Sequence, residues 1–142
     1  MGRLRICVVD GQGGGIGAAL IKRLKEVYGE EHEVIALGTN AVATAQMMKA
    51  RANRGASGEN AIIRTVASAD VSLGRLSIVL ANSMMGELTP KMAEAIASAP
   101  APKILLPLTQ EAVAIVGLTP EPLPHLVEKI VSHKLREIIQ NV

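Results

Sequence analysis

Five glycines within seven residues, at positions 11, 13, 14, 15 and 17, follow directly on the apolar run Ile6-Cys7-Val8-Val9. Consecutive β-favouring residues without polar alternation predict a strand buried on both faces, as in a parallel sheet. The glycines, lacking a Cβ, let the backbone turn sharply. After them, Ile16, Leu20, Leu24 and Val27 fall on one stripe and predict a helix over residues 16–28, with Gly29 as its stop. A strand, tight turn and helix in that order present unpaired N–H groups and about half a positive charge to whatever lies in the turn. Such a helix start favours a phosphate or similar anion. The expected ligand-binding stretch is therefore Asp10, Gly11, Gln12, Gly13, Gly14, Gly15, Ile16 and Gly17.

The rest of the composition narrows the fold class. A chain of 142 residues suits one domain, residues 1–142, with a core of ordinary size. Apolar residues make up 49% of it, yet there is no Phe or Trp and one Tyr, so the core is built from Leu, Ile, Val, Ala and Met. That suits α/β layers better than a β-sandwich with aromatic cross-strand pairs. No apolar run approaches the roughly 20 residues that span a bilayer, and the first residues lead straight into a strand; the expected location is cytoplasmic, without a membrane partner. Cys7, the single cysteine, lies inside the first strand and reads as a buried hydrophobe. The net charge of +2 is spread along the chain without an aromatic platform, which argues against nucleic acid. A mean hydropathy of +0.30 fits either a well-filled core or a surface covered in a homo-oligomer.

Further along, residues 34–37 read as a second strand joined to the first by a right-handed crossover. Asn40 caps a helix predicted over residues 41–53, with Gly55 as its stop. Residues 57–66 mix helix and strand signals and are read as a short helix. Residues 70–74 form the expected third strand, and 76–82 either a strand or a buried helical turn. Thr89-Pro90 opens a helix over residues 91–98. Residues 104–108 make a buried strand ending near Pro107, and residues 113–116 a further strand. The four residues between them are too few for a parallel crossover, so an antiparallel hairpin is expected at the sheet edge. A terminal helix over residues 125–140 carries the stripe Val127, Val131, Leu135 and Ile138, expected to pack on the domain or on a second subunit. The whole predicts a Rossmann-like three-layer α/β sandwich, mainly parallel, with that antiparallel edge hairpin near the C-terminus.

Two patterns overlap in the turn. Gly11-x-x-x-Gly15-x-Gly17 has the spacing of short-chain dehydrogenases, and Gly13-x-Gly15-x-x-Ala18 fits the looser dinucleotide fingerprint. A Walker A loop is excluded, because Gly17 is followed by Ala18-Ala19 rather than Lys and Ser or Thr. The acidic residue that binds ribose at the end of the second strand is missing, since that place holds Ala36-Leu37-Gly38-Thr39-Asn40 and Glu33 sits at the opposite end. No Arg stands beside Gly38 for a 2′-phosphate, and Tyr28 is followed four positions later by His32, not the Lys of a dehydrogenase. A nucleotide remains a possible ligand, while NAD and NADP are poorly supported and hydride transfer is not expected.

Ligand crevices in open α/β sheets lie beyond the carboxyl ends of the strands. This topology sends Asp10 with Gln12, Thr39 with Asn40, Asn82 with Ser83, and Thr109 with Gln110 towards one rim, with Glu87 near enough to join them. In a functional reading Asp10 partners a metal or ribose hydroxyl, Asn82 and Ser83 hydrogen-bond a ligand, and Glu87 is a general acid or base. In the plainer reading all are caps and turn formers. His32, His125 and His133 lack metal-ligand spacing. The pairs Met47-Met48 and Met84-Met85 fill a core or a subunit seam.

The runs Asp10-Gly11-Gln12-Gly13-Gly14-Gly15-Ile16-Gly17, Ala36-Leu37-Gly38-Thr39-Asn40, Gly58-Glu59-Asn60-Ala61, residues 81–87 and residues 89–96 together resemble a family of short bacterial proteins known only as a domain of unknown function. The likeness covers nearly the whole chain. It implies a small Rossmann-like cytoplasmic protein and no particular activity. Ser72 and Arg75 depart from the pattern, which has an apolar residue and Pro there. Two functions stay open: a phosphate-bearing small molecule bound at the glycine turn by a regulator or small enzyme, or a non-catalytic oligomeric interaction protein in which the turn only serves packing.

Overall fold

The computed structural model describes residues 2–141. Strands β1 (Arg5–Asp10), β2 (Glu33–Gly38), β3 (Arg54–Ser57), β4 (Val71–Arg75) and β5 (Lys103–Leu106) form one sheet in the order β3-β2-β1-β4-β5. Every neighbouring pair is parallel. The central strand β1 is buried from Ile6 to Asp10, and its side chains alternate between two cores, Ile6 and Val8 in one, Cys7 and Val9 in the other. Burial pushes the Cys7 thiol up to about 12, so it stays protonated.

Helices cover both faces, as a parallel sheet requires. On one face α1 (Gly15–Tyr28) buries Leu20, Ile21 and Leu24, each worth roughly 1.5–3 kcal/mol of transfer free energy. Beside it lies α2 (Ala41–Lys49), which adds Met47 to the same core. The opposite face carries α3 (Glu59–Val66) through Ile62 and Val66, and α4 (Pro90–Ser98) through Met92 and Ile96. Thr89 caps α4 by accepting the Met92 N–H at 3.2 Å, with Pro90 following, as that dipeptide predicts.

The chain ends back on the first face. Here α5 (Leu123–Glu128) and α6 (Leu135–Gln140) run on through a π-helical segment, Lys129–Lys134. Val127, Val131 and Leu135 are buried and Ile138 packs against them, so the predicted stripe docks on the domain. A π segment disturbs the local hydrogen-bond ladder, and the Tyr28 hydroxyl donates to the Val131 carbonyl at 2.6 Å. Arg23 grips Glu128 with two hydrogen bonds, the shorter 2.7 Å, tying α1 to α5. No helix among the described residues is long and apolar enough to cross a membrane.

Three expectations need correction. The antiparallel edge hairpin is absent: β5 is parallel to β4 and ends before Pro107, and residues 107–122 form no strand. Val113 and Ile115 are 44% and 45% exposed and Val116 is 99% exposed, so the β-favouring side chains there meet no second layer to pack against. The opposite edge is β3, whose sequence Arg-Gly-Ala-Ser has neither an apolar run nor alternation and is a strand only through its pairing with β2. Accordingly α2 stops at Lys49 instead of 53, turned by Ala50 and a left-handed Arg51 (φ 82°). Gly55, expected as a helix stop, lies within β3, where an added Cβ would come within 2.8 Å of the Met48 Sδ. The strand expected third, over residues 70–74, is thus β4, and residues 76–82 contain the 3₁₀ turn Leu76–Val79.

Candidate functional site

The strand order reverses between β1 and β4, because α1 leaves β1 towards one face and the chain after β4 passes to the other. Ligand crevices of such sheets open at that reversal, beyond the carboxyl ends of the strands. Here they hold the glycine turn after β1 and Arg75 at the end of β4.

The turn closes through a Gly14 N–H to Gly11 carbonyl bond of 3.0 Å, and α1 begins with Ala18 N–H to the Gly14 carbonyl at 2.9 Å. Gly14 is left-handed (φ 75°), and a Cβ on it would lie 2.6 Å from the Ala43 carbonyl oxygen. Gly17 admits the helix to the sheet: a Cβ there would meet the Asp10 Cβ at 3.0 Å and the Met47 Sδ at 2.5 Å. Gly13 and Gly15 are different. Both are exposed, neither has a positive φ, and an added Cβ would find nothing within 4 Å.

Two carboxylates of the chain already occupy part of the turn. Asp10, 2% exposed, accepts the Gly11 N–H at 2.8 Å on one oxygen and the Gly17 N–H at 2.7 Å on the other. The first oxygen also pairs with the Arg75 Nη2 at 2.9 Å. Glu87 crosses from the loop before α4, where its Oε1 accepts from the Gln12 N–H at 2.8 Å, the Thr39 hydroxyl at 2.7 Å and the Asn40 amide at 2.8 Å. Burial alone raises its pKa, but those three hydrogen bonds and the Arg75 charge outweigh it and hold the carboxyl below its ordinary value. Glu87 is thereby an acceptor at neutral pH, ill suited to act as a general acid. The N–H groups of Gly13, Gly15 and Ile16 have no acceptor among the described residues.

Arg75 is the member that sequence reading missed as a site residue. Only 8% exposed, it pairs through Nη2 with Asp10 and contacts the Met84 Sδ at 3.0 Å, while its buried Nε has no partner. A cation at the end of a strand otherwise buried throughout was the available signal, since such charges persist only when something compensates them.

The loop carrying Glu87 is strained. Asn82, Met84 and Met85 adopt φ of 66°, 56° and 58°, and a non-glycine residue held there costs on the order of 1–3 kcal/mol. Ser83 anchors the loop: fully buried, its hydroxyl donates to the Ser77 carbonyl at 2.6 Å, so it faces the protein. Asn82 is exposed, and its backbone N–H closes the loop on the Leu88 carbonyl. Thr109 accepts the Ser77 hydroxyl at 3.1 Å, and Gln110 is exposed. Of the expected rim, Asp10, Gln12, Thr39, Asn40 and Glu87 meet; Asn82, Ser83, Thr109 and Gln110 do not join them. Asn40 serves both readings, its Oδ1 capping α2 at Ala43 N–H (2.8 Å) and its amide donating to Glu87.

Beside Gly15 a groove of about 680 Å³ opens between α1 and α2, with Lys22, Lys25, Lys49 and Arg51 against Glu26. It lies on the outer side of that helix layer and shares only Gly15 with the turn.

One family matches the chain over residues 5–139, and its description is Domain of unknown function (DUF3842). No curated protein and no solved structure matches.

Proposed function

The chain belongs to this family of unknown function across nearly its whole length, and we propose from the site itself that it binds a nucleotide or other phosphorylated small molecule at the glycine turn. The observation that carries the reading is the contrast between the glycines. Gly14 and Gly17 are explained by the protein's own packing, whereas nothing in the protein requires glycine at 13 or 15. Glycine loses more backbone freedom on folding than any other residue, and a bare backbone there lets an external group approach the N–H groups of Gly13, Gly15 and Ile16 closely.

A second observation is independent of the helix start. Arg75 is buried at the strand reversal, paired with Asp10 and near enough to lower the Glu87 pKa, and its unpartnered Nε is a donor left for an acceptor arriving at this crevice. Lys22 and Lys49 line the groove that opens from Gly15. Thermal unfolding of the protein with inorganic pyrophosphate and a panel of nucleotides tests the reading. A ligand at 100 times its Kd adds about 2.7 kcal/mol of stability; no shift with any member would overturn it.

Another reading, a homo-oligomeric interaction protein, draws on the exposed Val113, Ile115, Val116 and Leu118. Native mass spectrometry decides it by subunit count, and a monomer at working concentration would remove it.

A further inference from the structure

The end of β2 carries no carboxylate in sequence, yet the fold delivers one to it. Asp10 and Gly38 are level in the β1–β2 register, and the Thr39 N–H closes the pair on the Asp10 carbonyl at 3.0 Å. Directly over these two strand ends sits the carboxylate of Glu87. Its Oε1 lies 3.2 Å from the position that a Cβ on Gly11 would take and accepts from Gln12, Thr39 and Asn40, groups from both the β1 and the β2 ends. All three donors converge on that one oxygen. Oε2 accepts from no group among the described residues, and Glu87 is only half-buried.

We infer that Glu87 supplies, from the loop before α4, the ribose-hydroxyl acceptor missing from the end of β2, and that the ligand is a ribonucleotide with free 2′- and 3′-hydroxyls. This rests on the glycine turn holding the ligand's phosphate. An acidic side chain at the end of the second strand is where a dinucleotide fold binds a ribose hydroxyl. Here one carboxylate oxygen is fixed by three donors, which holds the carboxylate in place and leaves the other oxygen free to accept before any ligand arrives. The strain at Met84 and Met85 has a purpose on this account, because the left-handed turns bring Glu87 back over Gly11. A 2′-phosphate would meet the Glu87 charge, and the chain has no Lys or Arg next to Gly38 in sequence to offset it, so 2′-phosphorylated nucleotides are rejected.

Calorimetric titration of the purified protein tests this with the nucleoside diphosphates of all four bases, their 2′-deoxy counterparts, adenosine 2′,5′-bisphosphate and inorganic pyrophosphate. At least one ribonucleoside diphosphate should bind ten or more times tighter than its deoxy form, and the bisphosphate should bind weakest among the adenine compounds. In Glu87→Gln the ratio of ribo to deoxy affinity should fall towards one while pyrophosphate still binds. Equal binding of ribo and deoxy forms, or pyrophosphate binding with no nucleotide binding, overturns the role of Glu87 and leaves the phosphate site standing. Failure of every compound, pyrophosphate included, overturns both. The wild-type ratio is decisive even if the variant does not fold.

Discussion

Asp10 and Arg75 form an ion pair of 2.9 Å although 65 positions separate them, each more than nine-tenths buried. The two ends of the pair are unequally supported. Asp10 also accepts the Gly11 and Gly17 N–H groups, whereas Arg75 makes no second ion pair among the described residues. Removing Asp10 therefore orphans three donors, one of them a buried cation. Breaking a buried pair from one side costs about 3–5 kcal/mol, and Asp10→Ala should fall in that range by urea unfolding. Arg75→Met, which leaves Asp10 with both backbone donors, should cost less than half as much. Equal losses would mean that the pair, and not the turn, is what Asp10 serves.

The glycines should separate sharply by substitution. Gly14→Ala places a Cβ against the Ala43 backbone at a left-handed φ, and overpacking of this kind costs typically about 1–3 kcal/mol. Gly15→Ala enters open space at the first residue of α1, where it should be neutral or stabilise by roughly 0.4–1 kcal/mol. Thermal melts of the two variants check the contrast, and a destabilised Gly15→Ala would show that the protein itself needs glycine there.

Stability between pH 7 and 5 should depend on His32. It is buried, and its Nδ1 accepts the Leu4 N–H at 3.1 Å, which only the neutral ring can do. Burial is the main cause that lowers its pKa from the ordinary 6.5, with Glu31 opposing and Arg3 assisting. The unfolded chain takes up a proton below 6.5 that the folded ring refuses, so the stabilisation is complete above 6.5 and is lost as pH falls through the folded value. The lowered carboxyls Glu30, Glu33, Glu87 and Glu128 lose their share only below 4.5. His32→Asn, whose amide oxygen can accept the same N–H, should flatten the slope between pH 6.5 and 5. An unchanged slope would place the titrating group elsewhere.

The exposed residues 112–120 should contribute little to stability. Val116→Ser, at a position 99% exposed, should change stability by no more than about 0.5 kcal/mol. Leu106→Ala, at the buried end of β5, should cost about 2–5 kcal/mol. Limited proteolysis of the native protein should cut first within residues 109–120. Protection there would indicate a covering partner.

What could be read from sequence followed burial. The β1 run, the α1 stripe and the Thr89-Pro90 start all announce their structure because side-chain chemistry and backbone demand agree. β3 does not, because an exposed Arg-Gly-Ala-Ser segment is a strand only by virtue of its neighbour. At residues 113–116 the same dependence works in reverse, β propensity finding no layer to join. In the site, Asp10, Gln12, Thr39 and Asn40 were placed by their positions at strand ends. Glu87 reads onto the same rim from its nearness to Asn82, but its bond to Gln12 across 75 positions, and the pairing of Arg75 with Asp10 across 65, depend on tertiary contacts that no local spacing encodes.

The central claim is that an external anion binds at the start of α1, and one titration tests it most directly. Gly15→Asp starts from a Cβ in open space and should preserve the fold, since an acidic residue in a helix's first turn stabilises it by about 0.3–1 kcal/mol. Calorimetry with pyrophosphate should show saturable binding to the wild type and none to a fully folded Gly15→Asp. Undiminished binding by that variant, or none by the wild type, would contradict the claim.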